Sequence, residues 1–248
     1  MAVALLGLLA WSLLARFAYG SQAYLFPSPL EVALAGARNL PLLLAAMAMT
    51  LVESVAGYLL AIIVGTTVAG LMSQSPTLRR GFYPYVVLLQ TIPTIVVAPI
   101  IVLWFGYTIG SVVLIGMLLA LAPIINNTLT GLLSTSRNLL ELFAMHRAGR
   151  WRTFRELRLP AALPSILAGL KTSAGLSVIG AIVGEFVIGS VGAHSGLGVQ
   201  IIFAQGRLDT PLLFAEVIAA SMLGLFFFQT VNLVGKRGLR HWHESEGD

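Results

Sequence analysis

The chain has 248 residues, 57% hydrophobic and only 10% charged, with a mean hydropathy of +0.90. A soluble domain carries about 25% charged residues, so the composition excludes an ordinary water-soluble enzyme and indicates a polytopic membrane protein. The absence of cysteine excludes disulfides, thiolate catalysis and Cys-ligated metal, and the net charge of +5 is explained by topology rather than by nucleic acid, as the positions of the basic residues show.

A helix needs about 20 apolar residues to cross a bilayer. Six stretches qualify: 2–19, 42–72, 84–105, 109–133, 163–189 and 211–235. The first lacks a basic n-region and is read as a retained span rather than a cleaved signal. After it, Tyr24-Leu25-Phe26-Pro27-Ser28-Pro29 cannot be regular helix, because each proline restricts the residue before it. Ser28-Pro29 then opens an amphipathic helix over 30–40, lying along the outer face. The second span is long enough to tilt or to project beyond the bilayer. In the third, Gln90, Thr91 and Thr94 bracket Pro93, which frees a backbone carbonyl of the kind that lines a cavity. A tight turn over 106–110 joins it to the fourth span as an antiparallel hairpin. Asn126 and Asn127 are polar candidates in that fourth span.

The insert over 134–162 is the only substantial polar region. Leu139, Phe143 and His146 recur at i, i+4, i+7 and predict an amphipathic helix over 138–148, ended by a left-handed cap at Gly149. Trp151, Phe154 and Leu157 predict a second short helix, and Pro160 and Pro164 mark the return to the membrane. Composition fits equally an interfacial helix pair on anionic headgroups and a docking element for a soluble protein. In the fifth span Gly180-x-x-x-Gly184, extended by Ser173 and Ser177, makes a small-residue seam for a neighbouring helix or a second copy. Segment 189–198 is glycine-rich but lacks the strand before it and the helix with Lys after it that a phosphate cradle requires, so it reads as a flexible extracytoplasmic loop. A tail, 236–248, comes after the sixth span.

With the N-terminus inside, segments 73–83, 134–162 and 236–248 hold eleven of the fifteen Lys and Arg residues, and the outer segments hold only Arg38 and Arg207. This is the positive-inside pattern. Glu53, Glu185 and Glu216 lie within apolar runs, where a carboxyl costs several kcal/mol and faces a partner or a cavity. Each fits a structural hydrogen bond or a contact to substrate or gate, and Glu185 falls near the outer end of its span, within reach of water. Lys171 is the one embedded cation. There is no Gly-x-x-x-x-Gly-Lys-[Ser/Thr] and no His-Glu-x-x-His, and the four histidines (146, 194, 241, 243) are scattered between loop and tail.

The insert resembles the EAA loop of importer-type ABC transporter permeases, Glu-Ala-Ala, three residues, Gly, nine residues, Ile-x-Leu-Pro. Leu157-Arg158-Leu159-Pro160 matches its end, with Leu for Ile. Glu141 falls on the first Glu, Leu142 and Phe143 replace the alanines, and Arg147 stands where the family usually has Gly, with Gly149 two residues later. Segment 161–170 resembles the stretch just after this loop in such permeases, and Thr91-Ile92-Pro93, Ala98-Pro99 and Trp104-Phe105-Gly106 resemble their third span. Phe26-Pro27-Ser28-Pro29, Gly184-Glu185-Phe186 and Gly196-Leu197-Gly198 resemble the nitrate/sulfonate/taurine branch, which includes riboflavin and pyrimidine-precursor permeases.

The resemblance implies an all-α polytopic transmembrane helical bundle of about six spans with the type I importer (MetI-like) permease fold, one domain over 1–248. It implies a transport subunit in a bacterial inner membrane, both termini cytoplasmic, with no ATPase site or cofactor of its own. ATP and Mg would be bound by separate P-loop ATPase subunits. An extracytoplasmic solute-binding protein and a second permease copy, as a homodimer, complete the implied assembly. Glu141, Phe143, Ala144, Arg147, Gly149, Trp151, Leu159 and Pro160 would couple the loop to the ATPase. Gln90, Thr91, Pro93, Thr94, Asn126, Glu53 and Glu185 are candidates for the substrate pathway. The solute would be a sulfonate, nitrate, taurine, or a pyrimidine- or riboflavin-type vitamin precursor. The alternative is an ion-gradient-driven secondary transporter using Glu53, Glu185 or Glu216 as proton or sodium sites, a class that often carries internal inverted repeats; none is found in this sequence.

Overall fold

The computed structural model describes residues 2–17, 25–189 and 195–239, and within these ranges every regular element is a helix. In chain order they are α1 (Ala2–Phe17), α2 (Pro29–Arg38), α3 (Leu40–Gln74), α4 (Pro76–Thr91), α5 (Thr94–Phe105) and α6 (Ile109–Leu133), then α7 (Arg137–Met145), α8 (Arg150–Thr153), a π-helical turn (Phe154–Arg158), α9 (Leu159–Ile188), α10 (Leu197–Gly206) and α11 (Thr210–Leu239). The bundle has a basic face, where the α3–α4 corner and the α7–α8 insert lie, and an opposite face carrying the α5–α6 turn and α10. The glycine-rich segment over 190–194 and the tail beyond 239, with His194, His241 and His243, lie outside the described residues.

Helix starts follow the local chemistry. Ser28 and Glu31 form a reciprocal capping box: Glu31 Oε2 accepts from Ser28 N at 2.7 Å, and Ser28 Oγ accepts from Glu31 N at 3.3 Å, with Pro29 in the first turn. This confirms the predicted amphipathic helix, which ends at Asn39. Trp11 Nε1 donates to Pro27 O at 3.1 Å, and the Trp11 and Phe26 rings pack on Phe214, so α1 and the Pro-rich linker are fastened to α11.

Among the described residues, four helices (α3, α6, the helix from Arg150 to Ile188, and α11) are long and apolar enough to cross a membrane; α1 is described over 16 residues, and the end of the expected first span, 18–19, lies outside the described residues. The expected third span, 84–105, is not one helix. It is a pair, α4 and α5, bent by 103° between Thr91 and Thr94. Pro93 forces the residue before it away from helical backbone, and Ile92 accordingly sits at φ −73, ψ 122.

Helix α6 is the centre of the bundle. It packs along α9 through small residues: Gly180 lies so close to α6 that a Cβ would come within 2.7 Å of Gly116 Cα, and one on Gly184 within 3.1 Å of Val112 Cα. Ser173 Oγ donates to Ala120 O at 2.8 Å, bridging the same pair of helices. The predicted small-residue seam is therefore filled by α6 of the same chain. On its other side α6 meets α3, again at glycines: a Cβ on Gly57 would lie 2.7 Å from Val113 O. A cluster including Leu43, Tyr58, Val178, Leu197, Leu223 and Phe227 joins α3, α9, α10 and α11. Large apolar side chains such as Leu103 and Trp104 face outward, as lipid-facing positions do.

Candidate functional site

Two places gather the predicted functional residues, one at each end of the helix that begins at Arg150. The first is the basic insert. Helix α7 turns Leu140 and Phe143 toward the body, whereas Leu139, Leu142 and Met145 are exposed, Met145 at 81%. The apolar stripe facing outward is thus 139, 142, 145; of the residues whose spacing predicted the helix, Leu139 and His146 are exposed and Phe143 is half-buried. Glu141 is exposed and accepts from Arg137 Nε at 2.9 Å. Ala144 is also exposed.

The turn after α7 corrects a second expectation. Gly149 does not form the left-handed cap: it has φ −65, ψ 162 and serves as the N-cap of α8. Arg147 takes the left-handed conformation instead, at φ 51. Arg147 N donates to Ala144 O at 2.9 Å and Ala148 N to Phe143 O at 3.0 Å, the paired bonds of a Schellman motif with Arg147 at the position glycine favours. It is the same position at which the importer-permease pattern carries Gly.

The predicted second short helix is not separate from the fifth span. Arg150 to Ile188 forms one helical run of 39 residues, passing through the π turn and Pro160 without a break. Pro160 has no N–H, which would leave the carbonyl of Glu156 without its α-helical donor. Immediately before it the ladder shifts by one residue, and Leu159 N donates to Phe154 O. Trp151 is 72% exposed and stacks on Phe154 at 5.8 Å, and Phe154 points at Gly70 of α3. Arg152 Nε donates to Glu156 Oε2 at 2.8 Å. Leu159 sits at the exposed edge of the helix.

The second place lies at the other end of this helix. Glu185 is 2% exposed, so the expected access to water is not found. Glu185 Oε1 accepts from Thr50 Oγ1 at 2.7 Å, Glu185 Oε2 accepts from Gly198 N at 2.5 Å, and Leu197 N donates to Thr50 Oγ1 at 2.8 Å. Residues of α3 and α9 thereby supply the cap that Gly196, the N-cap of α10, lacks. The glycines make room for it: a Cβ on Gly196 would overlap the Glu185 carboxyl, and one on Gly198 would fall 2.6 Å from Ile182 O. The Glu53 side chain meets Glu185 side chain to side chain, and Glu53 Oε2 is buried with no hydrogen-bond partner among the described residues.

The other predicted pathway residues do not join this cluster. Gln90, Thr91 and Pro93 are exposed at the α4–α5 bend with Thr94 half-buried beside them, and Asn126 is half-buried in α6. Glu216 is buried in α11 with both oxygens unpartnered among the described residues. Thr50 escaped the sequence reading. The signal for it was its i, i+3 relation to Glu53, which places a hydroxyl and a carboxyl on one side of an apolar helix.

This architecture is that of an importer's membrane subunit, and the comparisons with known proteins agree. Residues 57–240 match the family described as binding-protein-dependent transport system inner membrane component. The chain belongs to this family, and is the permease subunit of an ABC importer, working with a separate ATPase subunit and a substrate-binding protein. It is 38% identical over 225 residues to the formylaminopyrimidine transport permease protein ThiX of Halalkalibacterium halodurans, covering 89% of this chain and 86% of that one. It is 37% identical over 168 residues to the riboflavin transport system permease protein RibX of Chloroflexus aurantiacus, covering 68% and 61%. The crystal structure of an amino acid ABC transporter with histidines shares the fold, at a TM-score of 0.63 and 20% identity, over 82% of this chain and 97% of that one. The resemblance and the all-α, MetI-like fold read from the sequence are both borne out.

Proposed function

We propose that this permease moves a small heteroaromatic vitamin precursor of the formylaminopyrimidine type into the cytoplasm. The observation carrying this reading is the 38% identity to a formylaminopyrimidine permease over most of both chains. A solute without strong charge also suits spans whose one embedded cation is Lys171. Two copies would form the pathway, with the basic face and both termini cytoplasmic, as the Lys and Arg distribution favours.

In this reading the exposed stripe of Leu139, Leu142 and Met145 on α7 inserts into a cleft on the ATPase, the separate subunit that binds ATP and Mg at its own site. Closure of the ATPase dimer moves α7, and the Schellman turn at Arg147 passes that motion to Arg150. The helix from Arg150 to Ile188 carries it, at 1.5 Å per residue, about 58 Å toward the opposite face. There Glu185 holds α10, so a shift of the helix is felt at the outer end of the pathway. Switching between two packings of this kind is a common transport device.

The test is affinity purification of the tagged chain from native membranes in mild detergent, followed by thermal unfolding of the binding protein that accompanies it. A formylaminopyrimidine should raise that protein's Tm, while riboflavin and an alkanesulfonate leave it unchanged. A rise with riboflavin or the sulfonate alone would reassign the substrate. Recovery of the chain without any ATPase, from membranes active in uptake, would overturn the coupling scheme.

A further inference from the structure

At the base of the insert is a cavity of about 370 Å³ between the α3–α4 corner and the start of the Arg150 helix. Three arginines reach it from two helices: Arg79 from α4, and Arg150 and Arg158 from the first turns of the helix that begins at Arg150. Gln74, Thr153 and Ser73 also line it, and no carboxylate does. The two acids of the insert are occupied elsewhere, Glu141 with Arg137 and Glu156 with Arg152. Arg158 Nη1 donates to Ser73 O at 3.3 Å, and none of the three arginines forms an ion pair among the described residues. Topology bias explains why arginines lie on this face. It does not explain why three of them converge on one concavity with no counter-charge, where like charges raise the energy until an anion enters.

A second cavity, about 480 Å³, adjoins the first and shares Arg79 and Leu133 with it. Its remaining lining is Arg80, Tyr83, Pro84, Leu129 and Thr130. The pair therefore offers a cationic chamber and, across Arg79, a chamber walled largely by apolar side chains on the flank of α4 and α6. Guanidinium groups bind phosphate oxygens in bidentate fashion. An apolar chamber beside them on a membrane-spanning bundle suits an acyl chain.

We propose that Arg79, Arg150 and Arg158 form a phosphate-binding site occupied by the headgroup of an anionic phospholipid, whose acyl chain follows the adjoining cavity. A lipid bound there ties the insert to the α3–α4 corner by charge, since it touches residues of both. It would fix the angle at which the insert leaves the membrane. Arg79 is the hinge of the site because it borders both chambers.

The test is native mass spectrometry of the purified full chain in neutral detergent with phosphatidylglycerol, phosphatidylcholine or inorganic phosphate added. Because it uses the chain alone, its result is independent of the importer's substrate and of ATPase docking. Phosphatidylglycerol should be retained in preference to phosphatidylcholine. Its affinity should fall roughly fivefold for each arginine removed in Arg79→Gln and Arg150→Gln, the effect of one basic side chain at an anionic lipid surface. Thr130→Phe, which fills the apolar chamber without altering charge, should weaken phosphatidylglycerol and leave inorganic phosphate unaffected. Equal retention of the two lipids, or phosphatidylglycerol binding unchanged in both arginine variants and in Thr130→Phe, would overturn the site. Saturable binding of inorganic phosphate with no preference for phosphatidylglycerol would overturn the lipid as its source and assign a soluble anion.

Discussion

Arg147 shows how much one backbone conformation decides at the insert. A non-glycine residue in the left-handed region costs about 1–2 kcal/mol, and Arg147 sits there at φ 51 because the Schellman bonds to Ala144 and Phe143 require it. Arg147→Gly should stabilise the purified chain by about 1 kcal/mol, the strain relieved minus the entropy glycine adds to the unfolded chain; thermal unfolding in detergent reads this directly. Gly149→Ala, by contrast, should change Tm little, since alanine fits at φ −65 with nothing near a Cβ, and the entropy it removes from the unfolded chain is offset by its poorer N-capping of α8. A large loss from Gly149→Ala would mean that the turn is built the other way round. Counting residues back from Pro160 places the turn correctly, at Arg147. Choosing the nearest glycine places it two residues late, because glycine's preference for left-handed backbone is a propensity and the hydrogen bonds of the helix end override it.

At the scale of elements, the packing of α10 depends on residues far apart in the chain. Thr50→Val keeps the shape of the side chain but removes both the donor to Glu185 and the acceptor for Leu197 N–H. Leaving that buried amide unpaired costs about 1–3 kcal/mol, visible as a lower Tm with secondary structure retained by circular dichroism. Gly180→Leu should separate α6 from α9 and lower folded yield, since even a Cβ reaches Gly116. The small-residue seam and the helices themselves were legible, because hydropathy and glycine spacing are local. The partner of Glu185 was not: Thr50 is 135 residues away and Leu197 is tied to Thr50 across 147 residues, distances over which no spacing rule operates. The bend in the third span lies between these cases. Pro93 marks its place, yet a proline restricts only the residue before it and does not encode the 103° between two helices that both pack on α6.

For the whole molecule, the decisive feature is that the second half of the insert and Glu185, which clamps α10, lie on one uninterrupted helix. A flexible joint at Pro160 would let the insert move without the span, and the sequence places only the return of the chain to the membrane there. The π turn removes it by giving Leu159 N–H a partner at Phe154 O before the proline, so helical stiffness runs from Arg150 to Ile188. Inserting Gly-Gly between Arg158 and Leu159 should restore the joint while leaving α7 and its apolar stripe intact. The expected result is a chain that still co-purifies with its ATPase, hydrolyses ATP without stimulation by the binding protein, and transports no solute in proteoliposomes. Met145→Asp should fail differently, by placing a charge on the exposed stripe and abolishing ATPase co-purification. If the Gly-Gly variant transports at the native rate, force reaches the outer end by another route, and α3, whose Gly70 faces Phe154 and whose Thr50 holds Glu185, is the other element that touches this helix on both sides of the insertion.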